Sequence, residues 1–245
     1  MKLCAAQLRP VAGDVAANTA KHVALVERSA REHADVVFFP ELSLTGYEPS
    51  LARSLAIDPH DPRLQVFQRL SDAHGIVVGV GLPLSAPPGV QIGMLWCTPG
   101  ATPRTYAKQL LHADERPPFV PGDRQLVLDV NGVRLAPAIC HESVQMHHAD
   151  SAAGLGAVAY LASVAKGSTT LDRALVHYPD VAGKHGVFVA LANAVGPSDD
   201  FVAAGRSAAW DDRGTLLAQM DGETEGLVVL DTLTRTARVH ALAAW

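Results

Sequence analysis

The sequence predicts an α/β protein built as a layered sandwich in a single domain. Short apolar or β-branched runs alternate with amphipathic stretches, as expected when strands and helices alternate along a chain. Proline- and glycine-rich turns and an Asn-Gly pair at 131–132 separate neighbouring runs, which is typical of hairpins. Because hairpins join antiparallel strands, they argue against an all-parallel doubly wound sheet. At 245 residues the chain can bury roughly 70–75% of its unfolded surface in one core.

The strands are expected where apolar or β-branched runs of suitable length end at turn residues. In chain order they cover residues 2–7, 36–39, 76–82, 91–97, 104–107, 125–130, 133–139, 158–161, 187–192, 208–210, 215–218 and 227–230. Helical spacing of apolar residues predicts helices over residues 18–33, 61–74, 151–154 and 171–184. Asn18 or Thr19 is the expected cap of the first helix, and Pro179 is expected to kink or break the last.

Composition and charge exclude several classes of function. A net charge of −5 offers no positive surface for nucleic acid or an anionic membrane, and no apolar stretch is long enough to cross a bilayer. The chain opens directly into a strand, without a signal-peptide core. Three widely spaced cysteines provide neither a disulfide framework nor a Cys-x-x-Cys metal spacing. We therefore expect a cytoplasmic protein with no metal, no cofactor, no nucleic-acid partner and no membrane association.

Several reactive side chains lie where predicted strands end. Three of these strands lead to Cys140, to Glu41 and to Lys108, and the ligand sites of open α/β sheets lie outside the carboxyl ends of their strands. Glu115 lies in the proline-rich loop after Lys108, which we expect to cross the rim of the sheet. Taken one at a time, these residues also have simpler interpretations. Cys140 can be interpreted as a small buried cysteine that packs at a strand end. Glu41 can be interpreted as a capping carboxylate or as a surface charge. Lys108 and Glu115 fit an exposed ion pair.

Three segments around these residues resemble the nitrilase (carbon–nitrogen hydrolase) superfamily. They are FFPELSLTGY with Glu41, YAKQLLHADERPPFVPG with Lys108 and Glu115, and LAPAICHES with Cys140. The segments AVAYLAS, KHGVFVALANAVG and FVAAGRSAAWDDRGTLLA resemble later strands of the family, so the resemblance covers nearly the whole chain. The DE-x-x-x-F-x-PG segment is most similar to the glutaminase portion of glutamine-dependent NAD synthetases and to related small amidases.

The resemblance implies a fold and an assembly. The fold is the four-layer type of α-β-β-α sandwich, and two sandwiches are expected to pair into a four-layer dimer. A homodimer or a higher homo-oligomer is therefore expected in solution.

The resemblance also implies a role for each of the four reactive residues. A free thiol is only a few per cent thiolate at neutral pH, so Cys140 needs a base, and Glu41 is expected to take its proton. Cys140 then attacks the carbonyl carbon, while Lys108 and the backbone N–H of His141 stabilise the charge that develops on oxygen. Glu115 is expected to keep the lysine charged and the substrate oriented. A thioester forms, and water activated by Glu41 hydrolyses it.

The same resemblance suggests residues around the substrate. Tyr47, His141 and Ser163 are expected to bind it, whereas Asn193 and Ser207 are expected to form structural hydrogen bonds.

Neighbours of Cys140 offer alternative chemistry. His141 could serve as the base, but side chains alternate along a strand, so His141 is expected to face away from Cys140. If the strand that ends near Cys140 continued, the side chain of Glu142 would lie on the same face as that of Cys140. If the chain turns there, Glu142 is interpreted as a carboxylate at the start of a helix. A metal site made of Cys140, His141, His147 and His148 matches no standard zinc spacing.

The substrate expected from these features is a small linear amide. Residues 141–146 lack the Pro-Glu pair common after the family's cysteine, which affects the pocket more than the chemistry. They also lack the Trp-Glu pair of nitrile-cleaving members, which favours amides. We expect an amidase that releases ammonia or an amine through a cysteine thioester. The alternatives are a nitrilase or N-carbamoyl hydrolase with the same residues, and a non-catalytic binding or regulatory protein.

Overall fold

Two mixed β-sheets packed face to face form the centre of the molecule in the computed structural model, which describes residues 1–87, 89–116 and 118–242. The strands are β1 (Lys2–Gln7), β2 (Val36–Phe38), β3 (Val77–Ala86), β4 (Gly89–Cys97), β5 (Arg104–Ala107), β6 (Leu128–Val130), β7 (Val133–Ile139), β8 (Ala159–Val164), β9 (Phe188–Asn193), β10 (Val195–Ser198), β11 (Phe201–Ala204), β12 (Ala208–Trp210), β13 (Leu216–Gln219), β14 (Gly226–Asp231) and β15 (Thr236–Ala241). The helices are α1 (Val15–Arg31), α2 (Ala52–Leu55), α3 (Gln65–His74), α4 (Met146–Gly154) and α5 (Ser168–His185).

Each sheet has a parallel centre and antiparallel edges. Within the described residues the first sheet has the strand order β15-β14-β1-β2-β3-β4-β5 and the second β13-β12-β9-β8-β7-β6, while β10 and β11 form a separate hairpin. Strands β1 to β3 run parallel, as do β7 to β9, and the remaining neighbours are antiparallel. The prediction of a sandwich with hairpins is confirmed.

Three layers of buried apolar side chains hold four layers of backbone together. Phe38 of the first sheet and Leu161 of the second meet in the core between the sheets. Phe67 of α3 packs with α1 on the outer face of the first sheet, and Tyr178 of α5 packs with α4 on the outer face of the second. The α-β-β-α sandwich is confirmed. One chain supplies all four layers, and the expected pairing of two such sandwiches stays a prediction.

Helix α1 begins earlier than the sequence suggested. Its cap is Asp14, whose side chain accepts a hydrogen bond from the Ala17 N–H at 2.9 Å. The expected caps lie inside the helix: Asn18 bonds both backbone groups of Val11, and the Thr19 hydroxyl donates to the Val15 carbonyl. Asn18 therefore ties the preceding loop to the helix instead of starting it.

Other elements also differ from those predicted from the sequence. Helix α4 begins at Met146, before Ser151, and α5 continues through Pro179 without a break. The hairpin of β10 and β11 and the edge strand β15 were not expected. Strand β15 pairs with β14, but it is largely exposed and has no apolar run. Its sequence therefore lacks the hydrophobic pattern by which a strand is recognised. No helix in the described part of the chain is both long and apolar enough to span a lipid bilayer.

Candidate active site

Cys140 sits on a sharp turn directly after β7. Its φ of 46° lies in the left-handed region, which costs a residue with a side chain about 1–3 kcal/mol unless its surroundings impose it. The Cys140 N–H donates to the Ser163 carbonyl at 3.0 Å, and the Cys140 carbonyl accepts the Ser143 hydroxyl at 2.6 Å. Because this turn ends the strand geometry, His141 lines the same cavity as Cys140. The expectation that His141 faces away is wrong.

Glu41 lies on the turn that follows β2 and is 1% exposed. The turn is held against β3, where the Leu44 N–H donates to the Gly81 carbonyl at 2.9 Å. Gly81 permits this approach, since a Cβ there would lie 2.2 Å from the Pro40 carbonyl oxygen and 2.8 Å from the Leu42 nitrogen. A glycine on a neighbouring strand thus sets the position of the Glu41 backbone.

Lys108 joins two carboxylates in the protein interior. Its ammonium donates to Glu41 Oε1 at 2.8 Å and to Glu115 Oε1 at 2.5 Å, and its side chain is fully buried. Glu115 also accepts the Tyr47 hydroxyl at 3.2 Å and, on Oε2, the His112 N–H at 2.7 Å. Glu115 is therefore oriented by three donors, and the simpler interpretation of an exposed Lys108–Glu115 ion pair does not describe this buried group.

The electrostatics leave a proton on the thiol and a basic carboxylate beside it. Burial, followed by the Glu41 charge, raises the pKa of Cys140 to about 11, although Lys166 and Lys108 oppose the rise. Burial raises the pKa of Glu41 as well, against the lowering effect of Lys108. Burial disfavours the Lys108 ammonium, but Glu41, Cys140 and Glu115 raise its pKa overall, so it stays charged.

The two oxygens of Glu41 have different surroundings. Oε1 is held by Lys108, whereas Oε2 is buried and has no nitrogen or oxygen partner among the described residues. The Cys140 side chain is close enough to be one of the influences that lower the pKa of Glu41, against the larger effect of burial. The carboxylate thus has accepting capacity on the side of the thiol, which is what a general base needs.

A cavity of about 540 Å³ opens above these groups. Its lining residues are Tyr47, His112, Asp114, Glu115, Cys140, His141, Ala165, Lys166, Gly167, Ser168, Thr169, Thr170, Asp200, Phe201 and Val202. Tyr47 and His141, both expected around the substrate, are among them. Such a volume accommodates a small or medium organic molecule.

Ser163 lies behind Cys140 and is not among the residues that line the cavity. It is fully buried on β8, and its hydroxyl donates to the Phe39 carbonyl at 2.7 Å. Its own carbonyl accepts the Cys140 N–H. Ser163 therefore links the end of β2, which leads to Glu41, to the turn that carries Cys140, and its hydroxyl is already hydrogen-bonded within the protein.

Glu142 is fully buried behind Cys140. Its carboxylate accepts the backbone N–H of Ile139 at 2.8 Å, that of Gln109 at 2.7 Å and the hydroxyl of Tyr106 at 2.5 Å. Burial raises the pKa of Glu142 to about 7, although these three hydrogen bonds favour the charged form. Glu142 does begin a short helical turn, as one sequence interpretation had it, but its contacts are those of a buried positioning group.

Several residues of the cavity were missed from the sequence. Lys166 follows the buried strand β8, just as Lys108 follows β5, and the same criterion would have found it. Phe201 belongs to the unexpected hairpin and contacts the Tyr47 ring, with centroids 5.7 Å apart. Within residues 1–87, 89–116 and 118–242, no group of three or more His, Cys, Asp or Glu side chains is placed to hold a metal ion.

Comparisons with known proteins match this chain along nearly its whole length. A family model described as carbon–nitrogen hydrolase matches residues 2–239. The glutamine-dependent NAD(+) synthetase of Xylella fastidiosa is 31% identical over 253 residues, covering 97% of this chain and 45% of that protein. The protein of the same name from Aquifex aeolicus is 25% identical over 244 residues, covering 94% and 42%. This chain therefore spans less than half the length of these relatives.

Solved structures of an amidase from Nesterenkonia sp. AN1 share the fold. A mutant with acrylamide added to its active-site cysteine aligns with a TM-score of 0.86 at 24% identity, covering 94% of this chain and 92% of that one. A cysteine-to-alanine mutant in complex with butyramide aligns with a TM-score of 0.85 at 24% identity, covering 94% and 89%.

Proposed function

This chain belongs to the carbon–nitrogen hydrolase family, and we propose that within the family it is an amidase acting on small linear amides. One observation carries the proposal. The buried chain of contacts from Glu41 through Lys108 to Glu115 lies beside Cys140 at the base of an open cavity. These groups supply a nucleophile, a base and a fixed positive charge within one site.

The first half of the proposed reaction forms a thioester. Glu41 takes the thiol proton while the Cys140 sulfur bonds to the amide carbon, and the carbonyl oxygen becomes an oxyanion. Lys108 and the His141 N–H, which has no acceptor among the described residues, stabilise that charge. The oxyanion then collapses, the C–N bond breaks, and the proton held by Glu41 passes to the departing ammonia or amine.

The second half regenerates the thiol. A water molecule attacks the thioester carbon as Glu41 takes one of its protons, and the C–S bond breaks on collapse of the second oxyanion. The proton on Glu41 returns to Cys140, and the carboxylic acid leaves. In each half Glu41 thus accepts one proton and passes it on, first from the thiol to the departing ammonia or amine and then from water to the Cys140 sulfur, which fits a carboxyl group whose pKa is raised by burial.

The amide of glutamine is a specific candidate substrate. The relatives that match nearly all of this chain are named as glutamine-dependent enzymes, and this chain covers 45% of the Xylella fastidiosa protein. The butyramide complex of the similarly folded amidase supports simple aliphatic amides as a second group to test. Nitriles and N-carbamoyl amino acids remain alternatives because the same four residues suit them.

Ammonia release from glutamine, aliphatic amides, nitriles and N-carbamoyl amino acids tests the proposal. We expect the wild type and Cys97→Ala, a matched change at a buried cysteine of the first sheet, to release ammonia from one amide class. Cys140→Ala is expected to release none. Equal release by Cys140→Ala, or release only from nitriles, would contradict the amidase proposal.

We also propose that the protein works in the cytoplasm on a small-molecule amide and as a homodimer or a higher homo-oligomer. Light scattering coupled to size exclusion tests the assembly, and a mass equal to one chain at micromolar concentration would contradict it.

A further inference from the structure

Lys166 is a largely buried lysine at the cavity, and no residue in the described part of the chain pairs with its ammonium. It is 7% exposed, and no hydrogen bond or ion pair of its side chain is formed with those residues. Burial raises the pKa of Cys140, and Lys166 is the strongest of the cations that oppose this rise, ahead of Lys108. The ammonium is therefore close to the nucleophile. Because no group in the described part of the chain pairs with this ammonium, an anion that enters the cavity can pair with it.

The backbone of Lys166 is held rigidly. Its N–H donates to the Asn193 side-chain oxygen at 2.9 Å, and its carbonyl accepts the Asn193 side-chain nitrogen at 3.1 Å and the Ala204 N–H at 2.9 Å. Asn193 is itself fully buried and also donates to the Gly205 carbonyl at 2.8 Å. The site of the lysine is thus prepared before any ligand binds.

The N-terminus of α5 faces the same part of the cavity. Its first residues, Ser168, Thr169 and Thr170, line the wall beside Lys166, and the cap residue Gly167 has no side chain to satisfy their N–H groups. The first backbone N–H groups of any helix lack intrahelical acceptors, and the helix dipole favours negative charge there. Two independent features of the wall, a largely buried lysine with an unpaired ammonium and a helix N-terminus, therefore favour an anion.

We infer that Lys166 and the first turn of α5 form a subsite for a carboxylate carried by the amide substrate. The inference rests on the proposed amidase function and narrows its substrates to amides that bear a carboxylate at the far end of the molecule. A carboxylate accepts both ammonium and backbone N–H donors, so it can satisfy the two features at once.

The acidic residues that line the cavity do not act as the counter-ion of Lys166. Asp114 and Asp200 are exposed at the wall, and Glu115 is held by Lys108 and Tyr47. None of them forms an ion pair with Lys166 among the described residues. The lysine is therefore available to a ligand.

An alternative role for Lys166 is purely electrostatic. Glu41 and Glu115 share a single partner in Lys108, and a further cation nearby offsets the remaining negative charge and favours the thiolate. This role would affect every substrate alike, because it acts on Cys140. A carboxylate subsite affects only substrates that carry the carboxylate, and mainly through KM.

Succinamate and butyramide separate the two roles, since butyramide carries a methyl group where succinamate carries its carboxylate. We expect Lys166→Met to lower kcat/KM for succinamate at least about 30-fold more than it lowers kcat/KM for butyramide, with the additional loss mostly in KM. Lys166→Arg, which keeps the positive charge, is expected to recover part of the loss. Lys184→Met, at the other end of α5, is the matched control and is expected to match the wild type with both amides.

Binding to the inactive Cys140→Ala variant tests the subsite without turnover. Calorimetry is expected to show succinamate bound at least about 30-fold more tightly by Cys140→Ala than by Cys140→Ala/Lys166→Met. If the wild type cleaves neither amide, a Lys166-dependent preference for succinamate still supports the subsite while the amidase proposal fails. If butyramide is cleaved and Lys166→Met affects both amides equally, or neither, the amidase proposal stands and the carboxylate subsite is overturned. Equal succinamate affinity in the two binding variants would overturn it as well.

Discussion

The carboxylate of Glu142 accepts a hydrogen bond from the backbone N–H of Gln109 at 2.7 Å, and this contact joins the two sheets at the candidate site. Gln109 directly follows Lys108, at the end of a strand of the first sheet. The other oxygen of Glu142 accepts the N–H of Ile139, directly before Cys140 in the second sheet. The buried side chain of Glu142 thus fixes the backbone next to Lys108 relative to the turn that carries Cys140.

Replacing Glu142 by glutamine is expected to loosen both connections. An amide offers one accepting oxygen, so in either orientation its NH2 group must face a backbone N–H, that of Ile139 or that of Gln109. Leaving a buried donor unpaired costs about 1–3 kcal/mol, which urea unfolding would measure. We expect kcat to fall about tenfold or more with little change in KM, because the reacting groups are displaced. Glu27→Gln, an exposed carboxylate on α1, serves as the control and is expected to alter neither quantity.

The pH dependence of stability gives a separate test of Glu142. Burial raises its pKa from 4.5 to about 7, so the folded state binds this proton more tightly than the unfolded state. The resulting stabilisation is fully present below pH 4.5 and is lost as the pH rises through about 7, amounting to about 3 kcal/mol. The unfolding free energy of the wild type minus that of Glu142→Gln should therefore fall by about 3 kcal/mol as the pH rises from 4.5 to above about 7. A difference that is flat with pH would contradict the buried, proton-binding state of Glu142.

Gly81→Ala is expected to disturb Glu41 from a neighbouring strand. The added methyl would lie 2.2 Å from the Pro40 carbonyl oxygen, so the turn that carries Glu41 must move. We expect a loss of about 1–3 kcal/mol in stability together with at least a tenfold fall in kcat. Gly154→Ala is the matched control, since nothing lies within 4 Å of the added methyl. Unchanged kcat in Gly81→Ala would show that the turn position does not matter to turnover.

Lys108→Met is expected to leave two buried carboxylates without their cation. Removing one partner of a buried ion pair costs about 3–5 kcal/mol, and the lost charge should also abolish turnover. Adding Glu41→Gln and Glu115→Gln removes the uncompensated charges, so the triple variant should regain stability but not activity. Thermal and urea unfolding measure the first effect and ammonia release the second. Loss of less than about 1 kcal/mol in Lys108→Met would mean that the carboxylates are solvated, contrary to their burial.

The three cysteines should react with electrophiles at very different rates. Burial raises the pKa of both Cys4 and Cys97 to about 12, and neither has exposed surface. Cys140 is partly exposed in the cavity with a base beside it. Iodoacetamide on the folded protein should therefore label Cys140 alone, as read by peptide mass spectrometry, and Glu41→Gln should slow that labelling. Labelling of Cys4 or Cys97 at a comparable rate would argue against an activated Cys140.

The four residues could be located from the sequence because Glu41, Lys108 and Cys140 each follow a predicted strand, Glu115 lies in the loop after one, and the surrounding segments resemble the carbon–nitrogen hydrolase family. Apolar runs mark such strands, and the end of a run marks the rim of a sheet. Lys166 obeys the same rule after β8, so it could have been found. The orientation of His141 was predicted wrongly because it assumed that side chains alternate between the two faces of a strand as far as His141. The strand instead ends before Cys140, whose φ is positive. A single sequence gives no signal that a cysteine will adopt a positive φ.

Long-range contacts account for the remaining differences. Ser163 bonds the carbonyl of Phe39, a residue 124 positions away, and Glu142 bonds Gln109 across 33 positions. The cap of α1 was misplaced because Asn18 and Asp14 are both good capping residues, and the contacts of Asn18 with Val11 and Leu44 decide between them. Local capping propensity cannot distinguish two such residues when long-range contacts decide which of them caps the helix.

The most direct test of the mechanism is the covalent intermediate itself. A cleaved amide is mixed with the enzyme, quenched in acid within one turnover, and the protein is digested for mass spectrometry. We expect the mass of the acyl group on the peptide that contains Cys140, and no adduct in Cys140→Ala. Turnover without an adduct on any cysteine, or an adduct on Cys4 or Cys97 that persists in Cys140→Ala, would contradict nucleophilic catalysis by Cys140.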